Sequence, residues 1–309
     1  MIDRLLVFSN PQVQKLLKED FIPVAADDWY QQRRKDSEGE FFRKVADQGP
    51  RSSGGTRQGH YVFTPGGTLL GYNNNRGPDR RLKMMRDSLK KWEELPREAR
   101  SAVVGERGKI DERYVRALPN DVQVIKVYTR VLEKRGDQHV ALPEKKMGTL
   151  TAVDHLWFKK DEVKDLLELV KKGGGEFPKE LSRRIARFHL LDNTRGESLS
   201  WRKEEIHTMK LEVSSEGLLM GGFSIKSGDE KMGYEGEIRG KLSFSRDGGL
   251  SIFECLVIGE HWGEGPWTRG ARPGRSPLGQ VLKLSPATSG HDQIPPQSIR
   301  SSSAYWAAE

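Results

Sequence analysis

The stretch FSNPQVQKLLKEDFIPVAADDWY, residues 8–30, decides how the first part of the chain is interpreted. Asn10 followed by Pro11 is the favoured order for starting a helix, because Asn caps the first free amides and Pro suits the first helical position. Apolar residues then recur at helical spacing. The next run, residues 21–26, is short and apolar, and it predicts a buried strand that ends at Asp27.

Further elements follow along the chain. Residues 37–48 predict a second helix, and the apolar face of residues 82–92 predicts a third. Between them, the runs GHYVF (59–63) and TLLGY (68–72) flank the turn sequence TPGG, which predicts an antiparallel hairpin. The predicted order in residues 1–97 is therefore helix, strand, helix, hairpin, helix.

Two of these segments resemble thioredoxin-like domains of the thiol:disulfide interchange type. FSNPQVQKLLKEDFIPVAADD is similar to the family pattern F-x-x-P-x-V-x-x-L-L-x-x-x-F-V-x-V-x-x-D, and GGTRQGHYVFTPGGTLLGY is similar to its later P-x-x-x-F-x-x-P-D-G-x-x-L hairpin. The resemblance covers residues 1–97. It implies a thioredoxin-like α/β domain that lacks its first strand and first helix.

The redox residues of that family have no counterpart in this region. Members carry a Cys-x-x-Cys that would fall before Met1, and a cis-proline that is absent around Gln58 and Gly59. Thiol exchange needs an attacking thiolate and a resolving thiol within reach. The single cysteine, Cys255, lies midway along a distant apolar strand, where we expect it to be buried and inert. We therefore expect no redox activity from the chain as given.

The missing first strand also matters for the fold, because it would sit inside the sheet. Its loss leaves neighbouring backbone donors and acceptors without partners unless something replaces it. A start codon placed too far downstream, a fragment, or degeneration of the domain would each explain the absence. The alternative function, a thiol:disulfide oxidoreductase, places its Cys-x-x-Cys upstream of Met1.

Composition indicates an ordinary globular chain. Its 309 residues are enough for two domains, and 35% are hydrophobic. No apolar run approaches the roughly 20 residues of a membrane span, so we predict no membrane partner. The first residues are too short and too acidic for a signal peptide. We therefore expect a cytoplasmic protein, or an exported one if a signal sequence lies upstream.

The net charge is +8, from 52 basic and 44 acidic residues. Basic runs at residues 33–35 and 80–83 lack the interleaved aromatic residues typical of a nucleic-acid site. We interpret them as solvated helix faces and consider nucleic acid an unlikely partner.

The remainder of the chain predicts a linker at residues 98–120 and a mostly antiparallel β domain at residues 121–285, with two or three helices. Strand patterns recur from residue 122 onward, including a hairpin closed by the favourable turn sequence Asp-Gly. Residues 286–309 are rich in Pro, Ser and Gln and predict a disordered tail. The predicted fold class is α+β. The arrangement is similar to uncharacterised bacterial proteins that append such a region to a thioredoxin-like domain, and it implies no activity.

The strongest candidate for chemistry is the run GEHWGEGPWTRGARPGR, residues 259–275, which follows a strong strand. A histidine with two carboxylates could bind a metal or form an acid–base pair, and arginines could clamp a carboxylate or phosphate. The spacing matches no established metal motif, so we predict no metal and no cofactor. The candidate ligand-binding residues in this run are Glu260, His261, Glu264, Arg269, Arg272 and Arg275.

A second polar segment, Asp192-Asn-Thr-Arg195, follows a predicted helix and precedes the sheet. One interpretation places Asp192 and Arg195 in a cleft with the 260–275 loop. The other is that these side chains only stabilise a turn, and that the 260–275 loop is a rigid cover whose charges pair among themselves. His189 and the pair Asp154-His155 are interpreted as packed residues.

Three functions remain open from the sequence. The leading hypothesis is a binding or interaction protein whose partner is an unknown protein or an anionic small molecule. The second is the oxidoreductase described above. The third is a metal-dependent or hydrolytic enzyme that uses the 260–275 loop.

Overall fold

The chain divides into two compact units, residues 2–115 and residues 116–309, which are described separately. They are called the N-terminal unit and the C-terminal unit below. The computed structural model describes residues 7–8, 10–52, 56–75, 77–101, 108–114, 121–142, 151–286, 292, 296–299 and 302–306. Among these residues, no helix is long and apolar enough to cross a membrane.

The N-terminal unit combines helices with one hairpin, as the sequence predicts. Its elements are α1 (Pro11–Glu19), α2 (Asp28–Gln31), α3 (Ser37–Ala46), β1 (His60–Phe63), β2 (Leu69–Asn73), α4 (Pro78–Glu94) and two 3-10 turns, Arg97–Arg100 and Glu112–Tyr114. The side chain of Asn10 accepts the backbone N–H groups of Gln12 and Val13 and so caps α1. The predicted cap and the predicted antiparallel hairpin are both confirmed.

The core of this unit lies between α1 and α4. Val13 from α1 and Leu82 and Met85 from α4 are buried together with Val7. The apolar residues whose spacing predicts α1 and α4 therefore lie on the faces by which the two helices pack together.

The strand predicted at residues 21–26 is wrong. The segment is extended but belongs to no sheet, and 93% of the Ile22 surface is exposed, with Val24 also exposed. Within the described residues, the sheet of this unit has two strands, and β1 pairs only with β2. The apolar run consequently has no neighbouring strand to pair with. Asp27, expected to end the strand, instead caps α2 by accepting the N–H groups of Trp29 and Tyr30.

Part of the segment predicted as a linker packs within the N-terminal unit. The backbone N–H of Asp111 donates to the carboxylate of Asp36, and the carboxylate of Asp111 accepts the N–H of Lys35. Asp36 is also buried against the guanidinium of Arg34, at 2.6 Å. These bonds hold the 3-10 turn at Glu112–Tyr114 close to the start of α3.

The C-terminal unit is built on one large sheet. Its elements are β3 (Val122–Arg135), β4 (Gln138–Ala141), β5 (Thr151–Lys159), α5 (Lys160–Lys171), β6 (Gly174–Glu176), α6 (Lys179–Phe188), a 3-10 turn (Lys203–Glu205), β7 (Ile206–Ser214), β8 (Leu218–Lys226), β9 (Gly233–Phe244), β10 (Leu250–Trp262), β11 (Ser276–Leu284) and α7 (Ser302–Trp306). The sheet has nine strands, and all of the neighbours are antiparallel.

The strand order explains how distant residues meet. β6 to β11 lie side by side in chain order, and β11 then pairs with β3, whose far edge carries both β4 and β5. The predicted β9–β10 hairpin is confirmed: the turn is closed by a bond from the N–H of Ser245 to the carbonyl of Gly249. The fold as a whole is mixed α/β with large antiparallel sheets.

The sheet has two different faces. One, called the covered face, carries alternate residues such as Val257, Cys255 and Leu282, which are buried in the same core as the apolar residues of α5 and α6. The other, called the open face, carries the residues between them. Strand side chains alternate between the two faces of the sheet. Once one residue is assigned to a face, the faces of its neighbours along the strand follow.

The disordered tail predicted for residues 286–309 is wrong for the part that the structure describes. Tyr305 on α7 is fully buried against Trp157 and Phe188, and its hydroxyl lies 3.0 Å from Nε2 of His189. Asp292 is also buried. Pro- and Ser-rich composition predicts disorder because such segments lack apolar area. Here the buried ring of Tyr305 supplies enough apolar contact to anchor the segment.

Close strand packing gives a first prediction. A Cβ at Gly259 would lie 2.1 Å from the carbonyl oxygen of Glu235 on β9. Because this neighbour is backbone, Gly259→Ala should reduce the free energy of unfolding by about 1–3 kcal/mol. Gly228→Ala is the matched control, because no atom lies within 4 Å of its added Cβ. Urea unfolding curves that coincide for the two variants would contradict this packing.

Candidate functional site

The candidate site lies where β10 ends on the covered face. His261 is the next-to-last residue of β10, and it pairs in register with Tyr234 on β9 and Ser276 on β11. Tyr234 is fully buried, and its hydroxyl donates to the carbonyl of Leu278 at 3.0 Å. The sheet therefore places the imidazole of His261 next to the buried and firmly held ring of Tyr234.

The 263–275 loop, which joins β10 to β11, is held in shape by its own hydrogen bonds. The carboxylate of Glu264 accepts the N–H groups of Gly270 and Ala271 at 2.6 and 3.2 Å. The hydroxyl of Thr268 accepts the N–H of Gly265 at 2.9 Å. Glu264 is thus committed to the loop backbone, and these backbone bonds lower the pKa of its carboxyl group.

Arg195 ties this loop to the segment that follows α6. Its Nε donates to Oδ2 of Asp192 at 2.7 Å, and its two terminal nitrogens donate to the carbonyls of Gly263 and Thr268. The backbones approach so closely that a Cβ at Gly196 would meet the carbonyl oxygen of Trp267. Arg195 therefore contacts the 260–275 loop, and Asp192 also accepts the N–H of Thr194 as the turn interpretation expects.

Asp192 is the central acid of the site. Its carboxylate is buried and accepts both the N–H and the hydroxyl of Thr194, at 2.9 and 2.6 Å. Burial by itself raises the pKa of Asp192, but its electrostatic interactions with His261 and Arg195 and these hydrogen bonds outweigh it and lower the pKa. The residue is therefore ionised at neutral pH.

His261 is enclosed but makes no side-chain hydrogen bond with any residue that the structure describes. Only 8% of its surface is exposed. Burial lowers the pKa of His261 to about 4, and the charges of Arg195 and Arg272 add to this effect against the attraction of Asp192. The imidazole is consequently neutral at physiological pH, with one nitrogen able to donate and the other able to accept.

Arg272 brings a second guanidinium to the same place. It is half-buried, and it donates to the carbonyls of Leu132 and Pro277, both at 2.7 Å. Burial lowers the pKa of Arg272, and the charge of Asp192 opposes that shift. We call Asp192, Arg195, His261 and Arg272 the Asp192–Arg272 cluster.

The other predicted ligand-binding residues lie outside this cluster. Glu260 pairs with Glu235 and Pro277 on the open face, since neighbouring strand residues point to opposite sides. Arg275 also binds Glu235, at 2.6 Å, and stacks over the ring of Trp262. Arg269 is exposed. The predicted set of one histidine with two carboxylates is therefore not assembled.

A second buried network lies elsewhere in the C-terminal unit. Nδ1 of His189 is 3.3 Å from Oδ2 of Asp154, without hydrogen-bond geometry, and Nε2 of His189 contacts Tyr305 as described above. Oδ1 of Asp154 accepts the N–H groups of His155 and Gln297. All three side chains of this Asp–His–Tyr series are buried. The arrangement anchors α7, in keeping with the sequence interpretation of Asp154 and His189 as packed residues.

Sequence reasoning missed two contributors to the cluster. Tyr234, which lies beside His261, and Thr268, whose carbonyl accepts from Arg195, were not singled out as site residues. Thr268 could have been suspected from its position inside the 259–275 run. Tyr234 could not, because its proximity to His261 depends on strand register across a hairpin.

The described residues contain no group of three or more His, Cys, Asp or Glu side chains placed to hold a metal ion. Comparison with protein-family models gives no match. The chain likewise matches no curated protein and no solved structure. The function is therefore argued from the site itself.

The depressed pKa of His261 gives a second prediction. The unfolded chain takes up a proton near the ordinary pKa of 6.5, whereas the folded protein resists until about pH 4. Acidification between these values therefore favours unfolding. From pH 7 to pH 5, this one group should cost about 2 kcal/mol of unfolding free energy.

His261→Gln should remove that part of the pH dependence, measured by urea unfolding at both pH values. His155 also has a pKa lowered chiefly by burial, so the readout is the difference between wild type and variant. Equal losses of stability in the two proteins would show that His261 is protonated in the folded state.

A third prediction concerns the single thiol. Cys255 is 3% exposed, and burial raises the pKa of its thiol to about 12. Ellman's reagent at pH 8 should therefore label the native protein only at the rate of unfolding, and label one thiol at once in guanidinium chloride. Rapid labelling of the native protein would contradict the burial of this side chain.

Proposed function

We propose that the protein is a non-catalytic binding protein whose C-terminal unit holds a small anion at the Asp192–Arg272 cluster. The observation that carries the proposal is the enclosed imidazole of His261, which has no hydrogen-bond partner among the described residues and lies beside two guanidinium groups. This function extends the leading hypothesis from the sequence, with the anionic ligand as partner.

The charge balance of the cluster supports an anion. Asp192 is paired with Arg195, which also interacts electrostatically with Glu264 of the loop, so Arg272 shares Asp192 and has no carboxylate of its own within the cluster. The next acid that influences Arg272 is Glu133, and it is paired with Arg135. Partly buried positive charge without a matching acid is costly. A bound anion would balance it.

The hydrogen-bonding state of the cluster supports a ligand as well. The imidazole of His261 is 8% exposed and makes no hydrogen bond within the described part of the chain. A neutral imidazole can donate to an anionic oxygen. Arg272 still has N–H groups beyond the two that bind carbonyls, so it can donate to the same ligand.

The geometry favours binding over catalysis. The hydroxyl of Thr194 donates to Asp192, and the hydroxyl of Thr268 is bonded within the loop. Cys255, six residues before His261 on β10, is buried. Ser276, the strand partner of His261, carries a hydroxyl on the same face, but within the described residues no hydroxyl is hydrogen-bonded to the imidazole.

The N-terminal unit enters this proposal as a thioredoxin-like scaffold that presents a contact surface. Its order of a helix, a hairpin and a final amphipathic helix supports the resemblance of residues 1–97 to that family. The two-stranded sheet and the exposed chain at residues 21–26 are departures from it. The scaffold role rests on the sequence resemblance, whereas the anion role rests on the cluster.

A fourth prediction tests anion binding. Inorganic phosphate and succinate, each added at constant ionic strength against a chloride reference, should raise the thermal midpoint of the wild-type protein. Ligands that bind only the folded state stabilise it in proportion to the logarithm of their concentration. Arg272→Met keeps most of the side-chain length but removes the charge, and should lose at least tenfold in affinity by calorimetric titration.

Arg239→Met is the matched control, because Arg239 is an exposed arginine on the open face that pairs with Glu237 at 2.9 Å. It should bind phosphate and succinate as the wild type does. Failure of both anions to bind the wild type, or equal binding by the Arg272 variant, would rule out the cluster as an anion site.

A further inference from the structure

On the open face of the sheet, five apolar side chains and one arginine lie in a single row of register-paired residues. Starting at β5, Val153 pairs with Tyr128, Tyr128 with Val281, and Val281 with Leu256. The row continues through Arg239 on β9 to Met220 on β8. Directly paired residues point to the same side of a sheet. We call Val153, Tyr128, Val281, Leu256, Arg239 and Met220 the cross-strand row.

The apolar members of this row are exposed to solvent. Met220 is 61% and Leu256 is 47% exposed, and the other three are also among the exposed large hydrophobic residues. Isolated exposed apolar residues are normal on protein surfaces, but a contiguous group of them marks an interaction site. Four of them, Val153, Tyr128, Val281 and Leu256, lie on neighbouring strands and meet that description, and Met220 follows one strand beyond Arg239.

The row is narrow, and its width limits what can cover it. On one side it is bordered by the register-paired series Lys126, Lys283, Glu254 and Lys241, which ends at the exposed Leu218 on β8. On the other side it is bordered by Arg130, Gly279, Ile258, Glu237 and Gly222, and Lys210 follows on β7. A second sheet would pack over a broad apolar face. A stripe one or two residues wide is instead the shape that the apolar side of an amphipathic helix covers.

The length of the row also fits a helix. It crosses six strands, and five spacings of about 4.8 Å make it about 24 Å long. A helix rises about 1.5 Å per residue, so roughly 16 residues would span the row.

The charge at the border indicates the sign of the partner. Glu254 is shared between Lys241 and Lys283, at 3.7 and 3.3 Å. Arg130 and Lys210 make no ion pair with any residue that the structure describes. Lys126 is the exception, since it pairs with the buried Asp292. The remaining excess of positive charge is complementary to acidic side chains.

We propose that the cross-strand row is a docking site for an amphipathic helix of another protein, with acidic residues flanking its apolar side. The helix lies across the strands, its apolar side chains contact Tyr128, Val281 and Leu256, and its acids face the bordering lysines. This site is on the opposite face of the sheet from the Asp192–Arg272 cluster, and it does not depend on the anion site.

A designed peptide provides the test. The probe is a fluorescein-labelled, capped 18-residue helix with leucine at positions i, i+3, i+4 and i+7 and glutamate on both flanks. Fluorescence anisotropy should show saturable binding to the full chain that weakens with added salt. A second peptide with lysine in place of each glutamate should bind at least tenfold more weakly.

Variants of the protein locate the binding. Leu256→Lys should reduce the affinity at least tenfold, and Met220→Lys serves if the first variant is less stable by circular dichroism. Leu199→Lys is the matched control, because Leu199 is 55% exposed and lies outside the sheet. It should leave the affinity unchanged.

Three results would overturn the proposal. They are absence of saturable binding, equal affinity for the glutamate and lysine peptides, and equal affinity of the Leu256 and Leu199 variants. Sedimentation equilibrium adds a fourth: a wild-type dimer that becomes a monomer on Leu256→Lys would assign the row to a second copy of the chain.

Discussion

The candidate site depends on one buried ion pair, Arg195 with Asp192. Through its three nitrogens this arginine joins the segment after α6, the start of the 263–275 loop and the middle of that loop. A loop rich in glycine would otherwise have a large entropy of conformations to lose. Because this guanidinium binds the carbonyls of Gly263 and Thr268, it fixes the loop that follows His261. The position of His261 is therefore set by tertiary contacts as well as by its strand. Arg195 thus uses three of its five N–H groups, whereas Arg272 uses two.

Alternation along strands is the second constraint, and it gives one sheet two separate surfaces. His261 and Glu260 are adjacent in sequence, but one lies in the covered core and the other on the open face. The same is true of Cys255 and Leu256. A polar cluster and an apolar row can therefore be built from the same strands without sharing residues. The sheet between them is a rigid support for both.

Much of the architecture could be predicted because it depends on local patterns. Helical spacing identified α1, α3 and α4, and turn chemistry identified both hairpins. The strand predicted at residues 21–26 failed because a strand needs a partner, and apolar composition does not supply one. The tail prediction failed for a related reason, since the contact of Tyr305 with His189 joins residues 116 positions apart.

The site shows the same division between local and long-range information. The meeting of Asp192 and Arg195 with the 260–275 loop was one of two interpretations, because polar turns and functional clusters have the same composition. The exclusion of Glu260 follows from strand alternation and could have been predicted from the sequence. That Arg272 would bind carbonyls of Leu132 and Pro277 could not, because it requires the pairing of β11 with β3.

That pairing has a consequence for how the chain is made. Residues 125–131 of β3 join residues 278–284 of β11, so the middle of the sheet stays open during most of translation. Contacts of such long sequence separation form slowly. The aromatic pocket formed by Trp157 and Phe188 also stays empty until late, because Tyr305, which fills it, is synthesised after β11. Apolar strand edges of the nascent C-terminal unit are therefore exposed to water for much of its synthesis. Chaperones that recognise such edges would bind the chain at that stage.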